Sequence, residues 1–206
     1  MADIHESFAR PTLHPALRWR REPPRWTVRL AERCLRVEPA AATDFWQKTH
    51  DGLEADNGHF LFAEVTGDFV LSTRVRFQPV HQYDQAGLMV RVSATCWLKT
   101  SVEYELTGAS RLGAVVTNHG YSDWSTQSVP AETREMWLRV RREGQDYIVD
   151  ASREGRRWEQ LRMAHLAEDQ PRAPVGAGLY ACSPKGAGFV AEFTYLNIDH
   201  GRLARE

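Results

Sequence analysis

Apolar and polar residues alternate with a period of two along most of the chain from Trp26 onward. In residues 69–77, "FVLSTRVRF", one side carries Phe69, Leu71, Thr73, Val75 and Phe77, and the other carries Val70, Ser72, Arg74 and Arg76. Successive side chains of an extended chain point to opposite faces, so this stretch predicts a half-buried strand. In "DQAGLMVRVS" the core side reads as Ala86, Leu88, Val90 and Val92, against Gln85, Met89, Arg91 and Ser93. In "WLKTSVEYEL" the core set reads as Leu98, Val102, Tyr104 and Leu106, and the outward face as Trp97, Lys99, Ser101, Glu103 and Glu105.

The runs "RLGAVVTN", "EMWLRVRR", "DYIVDASR", "GAGLYACS" and "GFVAEFTYLNI" continue the series, each bounded by Gly, Pro, Asn or Asp turn residues. Many short strands without a helical period predict an all-β fold, an antiparallel sandwich. One hairpin is specified in detail: strand-like halves flank residues 152–155, where Gly155 can take the positive φ of a tight turn and Trp158 lies just beyond. Residues 1–22 carry Pro11, Pro15 and clustered basic side chains, and "EPP" closes them before regular structure begins. They are expected to form an N-terminal extension, with one domain over residues 23–206.

Composition narrows the classes. A chain of 206 residues with 42% hydrophobic and 26% charged residues suits one globular all-β unit. A net charge of −1 offers no basic footprint for nucleic acid. Of the local basic runs at 18–21 and 139–142, the first reads as a solvated N-terminal segment and the second as alternating along a strand. No apolar run is long enough for a signal peptide or a membrane span, so neither export nor a membrane partner is expected and the cytoplasm is the expected location. Cys34, Cys96 and Cys182 are odd in number and widely spaced, which predicts buried free thiols.

Candidate chemistry lies on faces that set an aromatic ring beside polar groups. Glu103 and Glu105, two apart on a strand, share a face with Trp97 and Lys99. That spacing is compatible with a glycosidase carboxylate pair and equally with an ordinary solvated face. The aromatic plane beside hydrogen-bonding charges is the kind of surface that holds a sugar ring. Trp46, Lys48 and His50 alternate in the same way, and "NHGYSDWS" adds Tyr121, Asp123 and Trp124 in an expected loop. "DNGHF" reads as a turn in which Asp56 and Asn57 bond their own backbone and Gly58 supplies positive φ. His50, His59 and Asp56 lack the spacing of a metal site, so no metal is expected. No GxxxxGK[ST], GxGxxG or GxSxG occurs, so no cofactor is expected either. "SPKGAGF", residues 183–189, reads as a hairpin connection between strands.

The segments "PPRW", "TDFWQKTHDGLEADNGHFLF", "GDFVLSTRVRF", "YDQAGLMVRVSATCWLKTSVEYE", "VVTNHGYSDWS", "MWLRVRREGQDYIVDAS" and "ACSPKGAGF" occur in this order across residues 23–198. Together they resemble the DUF1349 family, bacterial and fungal proteins of unknown function. The resemblance implies a concanavalin A-like jelly-roll β-sandwich of two antiparallel sheets, as in lectins and glucanases, with a groove on the concave sheet. It further implies a ligand-binding set of Trp46, Thr49, His50, Asn57, His59, Tyr83, Asp84, Gln85, Trp97, Lys99, Glu103, Asp123 and Trp124. The glucanase branch uses an ExDxxE carboxylate strand, whereas "EYELTG" supplies only Glu103 and Glu105. Three functions follow as expectations. The first is binding of a carbohydrate or small polar ligand. The second is a glycoside-active enzyme with Glu103 paired to Glu105 or Asp84. The third is an interaction module for a metabolic enzyme, since the fungal branch looks like a proposed regulator of enolase, with a homodimer through sheet edges also open.

Overall fold

The computed structural model describes residues 2–201. Among them the strands are, in chain order, β1 (Ile4–Glu6), β2 (Arg18–Arg20), β3 (Arg25–Arg29), β4 (Cys34–Glu38), β5 (Phe45–Gln47), β6 (Glu54–Asp56), β7 (His59–Val65), β8 (Phe69–Gln78) and β9 (Gln85–Arg91). They continue with β10 (Trp97–Glu103), β11 (Ser110–Asn118), β12 (Tyr121–Val129), β13 (Glu135–Glu143), β14 (Asp146–Ser152), β15 (Glu159–His165), β16 (Val175–Cys182) and β17 (Val190–His200). No helix occurs among the described residues, and none is therefore long and apolar enough to cross a membrane.

Two antiparallel sheets form a sandwich. One runs β15-β14-β13-β8-β17-β4-β3, with β1 also paired to β17, and the other runs β12-β11-β10-β9-β16-β7-β2. The β5–β6 hairpin stands apart from both. Strand β8 follows the alternation read from its sequence: Phe69, Leu71, Thr73, Val75 and Phe77 are buried between the sheets, where Leu61, Leu88, Leu98, Leu138 and Leu196 join the same core. Burying each such side chain is worth about 1.5–3 kcal/mol, which is what holds two otherwise separate sheets face to face.

In strands β9, β10, β11 and β16 both faces are covered. The set Trp97, Lys99 and Ser101, expected to be solvated, is therefore buried, because the β5–β6 hairpin lies over that side. Phe45 of that hairpin sits edge-on to Trp97 and Tyr180, with centroids 6.2 and 6.3 Å away. Tyr104 and Leu106 fall past the end of β10, and Leu106 is exposed rather than in the core.

Residues 2–22, expected to form an N-terminal extension, are tied into the two sheets. Strand β1 pairs with β17 and β2 with β7, and Phe8 and Leu17 enter the core. Their three-residue lengths are too short to show a period, and beyond β1 the Glu6 carboxylate holds the following loop by accepting hydrogen bonds from the Phe8 and His14 amides at 2.7 Å. Elsewhere the turn chemistry was readable: Gly155 has φ 77° between β14 and β15, with the Ser152 hydroxyl accepting its amide at 2.9 Å. The "SPKGAGF" segment joins β16 to β17, which lie in different sheets, so it is a crossover and not a hairpin. "YSDWS" is strand β12, entered through a two-residue turn at His119 and Gly120, both with positive φ. All three cysteines are buried free thiols.

Candidate functional site

The outer face of the seven-stranded sheet holds a groove of about 650 Å³. Strand β10 directs Lys99 and Glu103 into it, Asp44 comes from just before the β5–β6 hairpin and Trp46 from β5 itself. Thr49, His50, Asp51 and Leu53 come from the hairpin loop, Tyr83 from the β8–β9 connection, and Ser122, Asp123 and Trp124 from β12. Val115, Pro184 and Lys185 complete the lining.

The hairpin loop is held in an unusual path. The Lys48 amide donates to Leu53 O at 2.7 Å and the Gly52 amide to Lys48 O at 2.8 Å. Lys48, His50 and Gly52 have φ of 57°, 77° and 74°. For a residue with a Cβ this region costs roughly 1–2 kcal/mol. Tyr83, across the groove, is likewise at φ 72°. Such backbone persists only when surroundings over-determine it. Here the Gln47 amide donates to the Ser122 hydroxyl at 2.9 Å, and the Trp46 indole donates to Thr49 O at 3.0 Å. The far end of the hairpin is clamped by Asp56, which takes both Arg91 Nη groups at 2.8 Å and Arg20 at 2.6 Å.

At the floor, Lys99 Nζ is 3.1 Å from Asp44 Oδ1 and is flanked by the rings of Trp97 and Tyr180, at 5.9 and 5.7 Å from their centroids. Burial works against its charge, but Asp44, with Cys182 and Glu103, more than offsets this and holds the ammonium above its ordinary range. Glu103 behaves oppositely: burial pushes its carboxyl up to about 8, with Lys99 pulling down and Asp44 and Glu105 adding to the rise. The Gln85 side-chain amide donates to Glu103 Oε2 at 2.9 Å, and the Tyr180 hydroxyl lies 3.1 Å from Gln85 Oε1 and 2.8 Å from Ser101 Oγ. That chain of bonds fixes Oε2 of Glu103, whose side chain lines the groove.

Of the residues that the family resemblance nominated, the structure brings together Trp46, Thr49, His50, Tyr83, Lys99, Glu103, Asp123 and Trp124. Five stand outside the lining. Asn57 accepts the Asp44 amide at 2.8 Å and donates to Ala42 O at 2.8 Å, which ties the hairpin's two ends. His59 is buried, its ring bonded on both sides to backbone at Ala40 and Arg21, and burial keeps it neutral. Asp84 is buried and accepts the Val80 and His81 amides and the Ser183 hydroxyl. Gln85 is buried behind Glu103, and Trp97 is fully buried against Phe45. The carboxylate pairs proposed around Glu103 do not converge on the groove, since Asp84 is spent on backbone and Glu105 bonds Gln82 at 2.8 Å outside the lining.

Within "DNGHF", Gly58 has no positive φ; its role is close approach, because a Cβ there would collide with the Phe45 ring and Cys182 Sγ. Asp56 bonds arginines rather than its own backbone. Sequence reasoning missed Asp44, Asp51, Leu53, Val115, Ser122, Pro184 and Lys185 as lining. The only available signal for Asp44 was its place directly before Phe45 and Trp46 in a segment already rich in candidates. Among the described residues, the metal-type triad Asp3, His5 and Asp199 lies by β1 and β17, on the other sheet from the groove.

The comparisons agree with this architecture. The family model described as "Protein of unknown function (DUF1349)" matches residues 19–200. "Regulation of enolase protein 1" of Saccharomyces cerevisiae is 35% identical over 162 residues, 79% of each chain. A solved structure of a functionally unknown protein from Saccharomyces cerevisiae has a TM-score of 0.81 at 31% identity, covering 92% of this chain and 98% of that one. The GH43 protein BlXynB of Bacillus licheniformis shares the fold at a TM-score of 0.75 and 18% identity, over 95% of this chain and 39% of that one.

Proposed function

Because the chain belongs to the DUF1349 family of proteins of unknown function, we propose that its groove binds a carbohydrate or a closely related polyhydroxylated ligand. The observation that carries this reading is the buried Lys99–Asp44 pair with Glu103 at the floor of an open groove walled by Trp46, Tyr83 and Trp124. A buried ammonium with hydrogen-bonding capacity left over is costly unless something fills it, and a hydroxyl both donates and accepts. Aromatic walls suit the apolar faces of a sugar ring. The fold shared with a GH43 protein is consistent with this chemistry and does not itself carry it. The three free thiols suit the reducing cytoplasm, which we take as the working location.

The test is a thermal-shift and calorimetric screen of the folded protein against mono- and oligosaccharides, sugar phosphates and divalent metals. A ligand that binds only the native state must raise the melting temperature. Saturable sugar binding that weakens in Trp124→Ala is the expected outcome. A flat screen overturns the carbohydrate reading. A second reading then takes precedence, a module that docks on a metabolic enzyme, favoured by the name of the Saccharomyces cerevisiae relative. Co-sedimentation with purified enolase tests it, and sedimentation of the protein alone reports whether it forms a homodimer.

A further inference from the structure

The groove does not run across the sheet. On one side Phe45 is wedged against Trp97 and Tyr180, and Gly58 brings the backbone against Phe45 and Cys182 so closely that no side chain fits there. Those rings and the thiol are buried to within a per cent or so. The β5–β6 hairpin that brings Phe45 is itself clamped to the sheet through Asp56, Arg91 and Arg20. A long polymer laid across this face would have to displace a packed apolar cluster, so the groove is a dead end whose blind wall is protein.

The polar floor stands at that closed end. Lys99 donates to Asp44 and, among the described residues, to no other acceptor, so two of its three N–H groups remain. It does not pair with Glu103, which is held by Gln85 through a single oxygen. The floor therefore offers, side by side, an acceptor on Asp44, donors on Lys99 and a carboxyl oxygen on Glu103. A hydroxyl needs one donor and one acceptor, and this arrangement supplies that requirement twice.

Resting on the carbohydrate reading above, we propose that the site recognises a chain end: a free sugar or the terminal residue of an oligosaccharide, held through two adjacent hydroxyls. One hydroxyl lies between Asp44 and Lys99, and the next lies between Lys99 and Glu103. The rest of the ligand extends toward Trp124, on edge strand β12, away from Phe45 and Tyr180. A volume of about 650 Å³ takes one or two sugar rings and lies within the range of pockets for small molecules. A sugar lacking either hydroxyl leaves a buried N–H of Lys99 without an acceptor, and sites of that kind reject the deoxy analogue strongly.

The experiment is calorimetry on the full chain with glucose, xylose and arabinose, with xylo- and cello-oligosaccharides of increasing length, and with 2-deoxy- and 3-deoxyglucose. Affinity is expected to stop rising after the second sugar residue, and at least one deoxy sugar to bind about tenfold or more weakly than glucose. Affinity that climbs with every added residue, or deoxy sugars that bind as tightly as glucose, would overturn chain-end recognition while leaving the carbohydrate reading standing. If no saccharide of any length binds, both fail together.

Discussion

Arg142 and Lys99 are both cations buried in the sandwich against a carboxylate, yet their surroundings differ in one respect. Arg142 uses all its N–H groups: Asp169 takes two bonds at 3.0 and 2.6 Å, and the carbonyls of Gly144, Gly67, Ala173 and Gln170 take the rest. Tyr147 closes the network by donating to Asp169 at 2.7 Å, and burial, reinforced by Asp169, keeps its hydroxyl protonated. Lys99 makes one such bond and faces a groove. A buried charge with every bond made is a structural device, whereas one with spare bonds beside open space is prepared for something that arrives. The alternation expected along residues 139–142 holds, with Arg142 on the buried side, but its partner Asp169 is remote in sequence and could not be read from the strand.

The largest expected effect is on the closed network. Asp169→Ala strands Arg142 and Tyr147 together, and loss of one partner from a buried pair costs about 3–5 kcal/mol. Urea unfolding of the variant measures it. A cost under about 1 kcal/mol would mean that water or a neighbouring carbonyl replaces Asp169 easily, and the contrast with Lys99 would collapse. Lys99→Met comes next, at about 1–3 kcal/mol, because Asp44 keeps the Phe45 amide at 2.7 Å and can turn its free oxygen to solvent in the groove. Sugar binding should be lost in this variant. A stability cost equal to that of Asp169→Ala would reclassify Lys99 as a second structural cation.

The two cations also show what was readable in advance. Strand β8 could be read because its two faces meet different media, core and solvent, so alternation in sequence maps onto alternation in burial. Strand β10 could not, since both of its faces are covered and Lys99 and Trp97 share the burial of Leu98. Nothing local in "WLKTSVE" says that Phe45 will close over it. For the same reason Trp97 looked like a stacking plane and is a core ring. Trp46 and His50 both line the groove, but from strand β5 and from the turned hairpin loop, so nearness in sequence and not an extended alternation brings them together. Asp44, Pro184 and Lys185 needed the crossing of a hairpin and a sheet-to-sheet connection, which no spacing encodes.

The third prediction separates the two sites by pH. Glu103 is raised from an ordinary 4.5 to about 8, so the folded protein holds that proton more tightly than the unfolded chain does. Between those values the native state binds more protons, so stability must fall as pH rises. The contribution is complete below 4.5 and lost once pH has passed about 8. Melting curves from pH 5 to 9 should therefore slope downward in wild type and flatten in Glu103→Gln by a few degrees, since about 1 kcal/mol moves a domain of this size by about 2–4 °C. Equal slopes in the two proteins would show that Glu103 is already ionised near neutrality through Lys99, and that the floor is a closed ion cluster like that of Arg142.

The smallest effect on folding is expected at Trp124, and it sharpens the contrast most cleanly. Trp124 lies on edge strand β12, opposite Val115, with 40% of its surface exposed, so little packing is lost on truncation. Trp124→Ala should change stability within about 0.5 kcal/mol, the usual range for surface positions. If the ring is a wall for a sugar, affinity should nonetheless drop by about threefold to tenfold, the equivalent of about 0.5–1.5 kcal/mol for an aromatic face. A loss of binding without a loss of stability is the signature of a residue held ready, as opposed to Arg142, whose bonds all serve the fold. Should Trp124→Ala instead unfold the edge while leaving affinity unchanged, the exposed ring serves the β11–β12 pairing, and the aromatic contribution would fall to Trp46 and Tyr83.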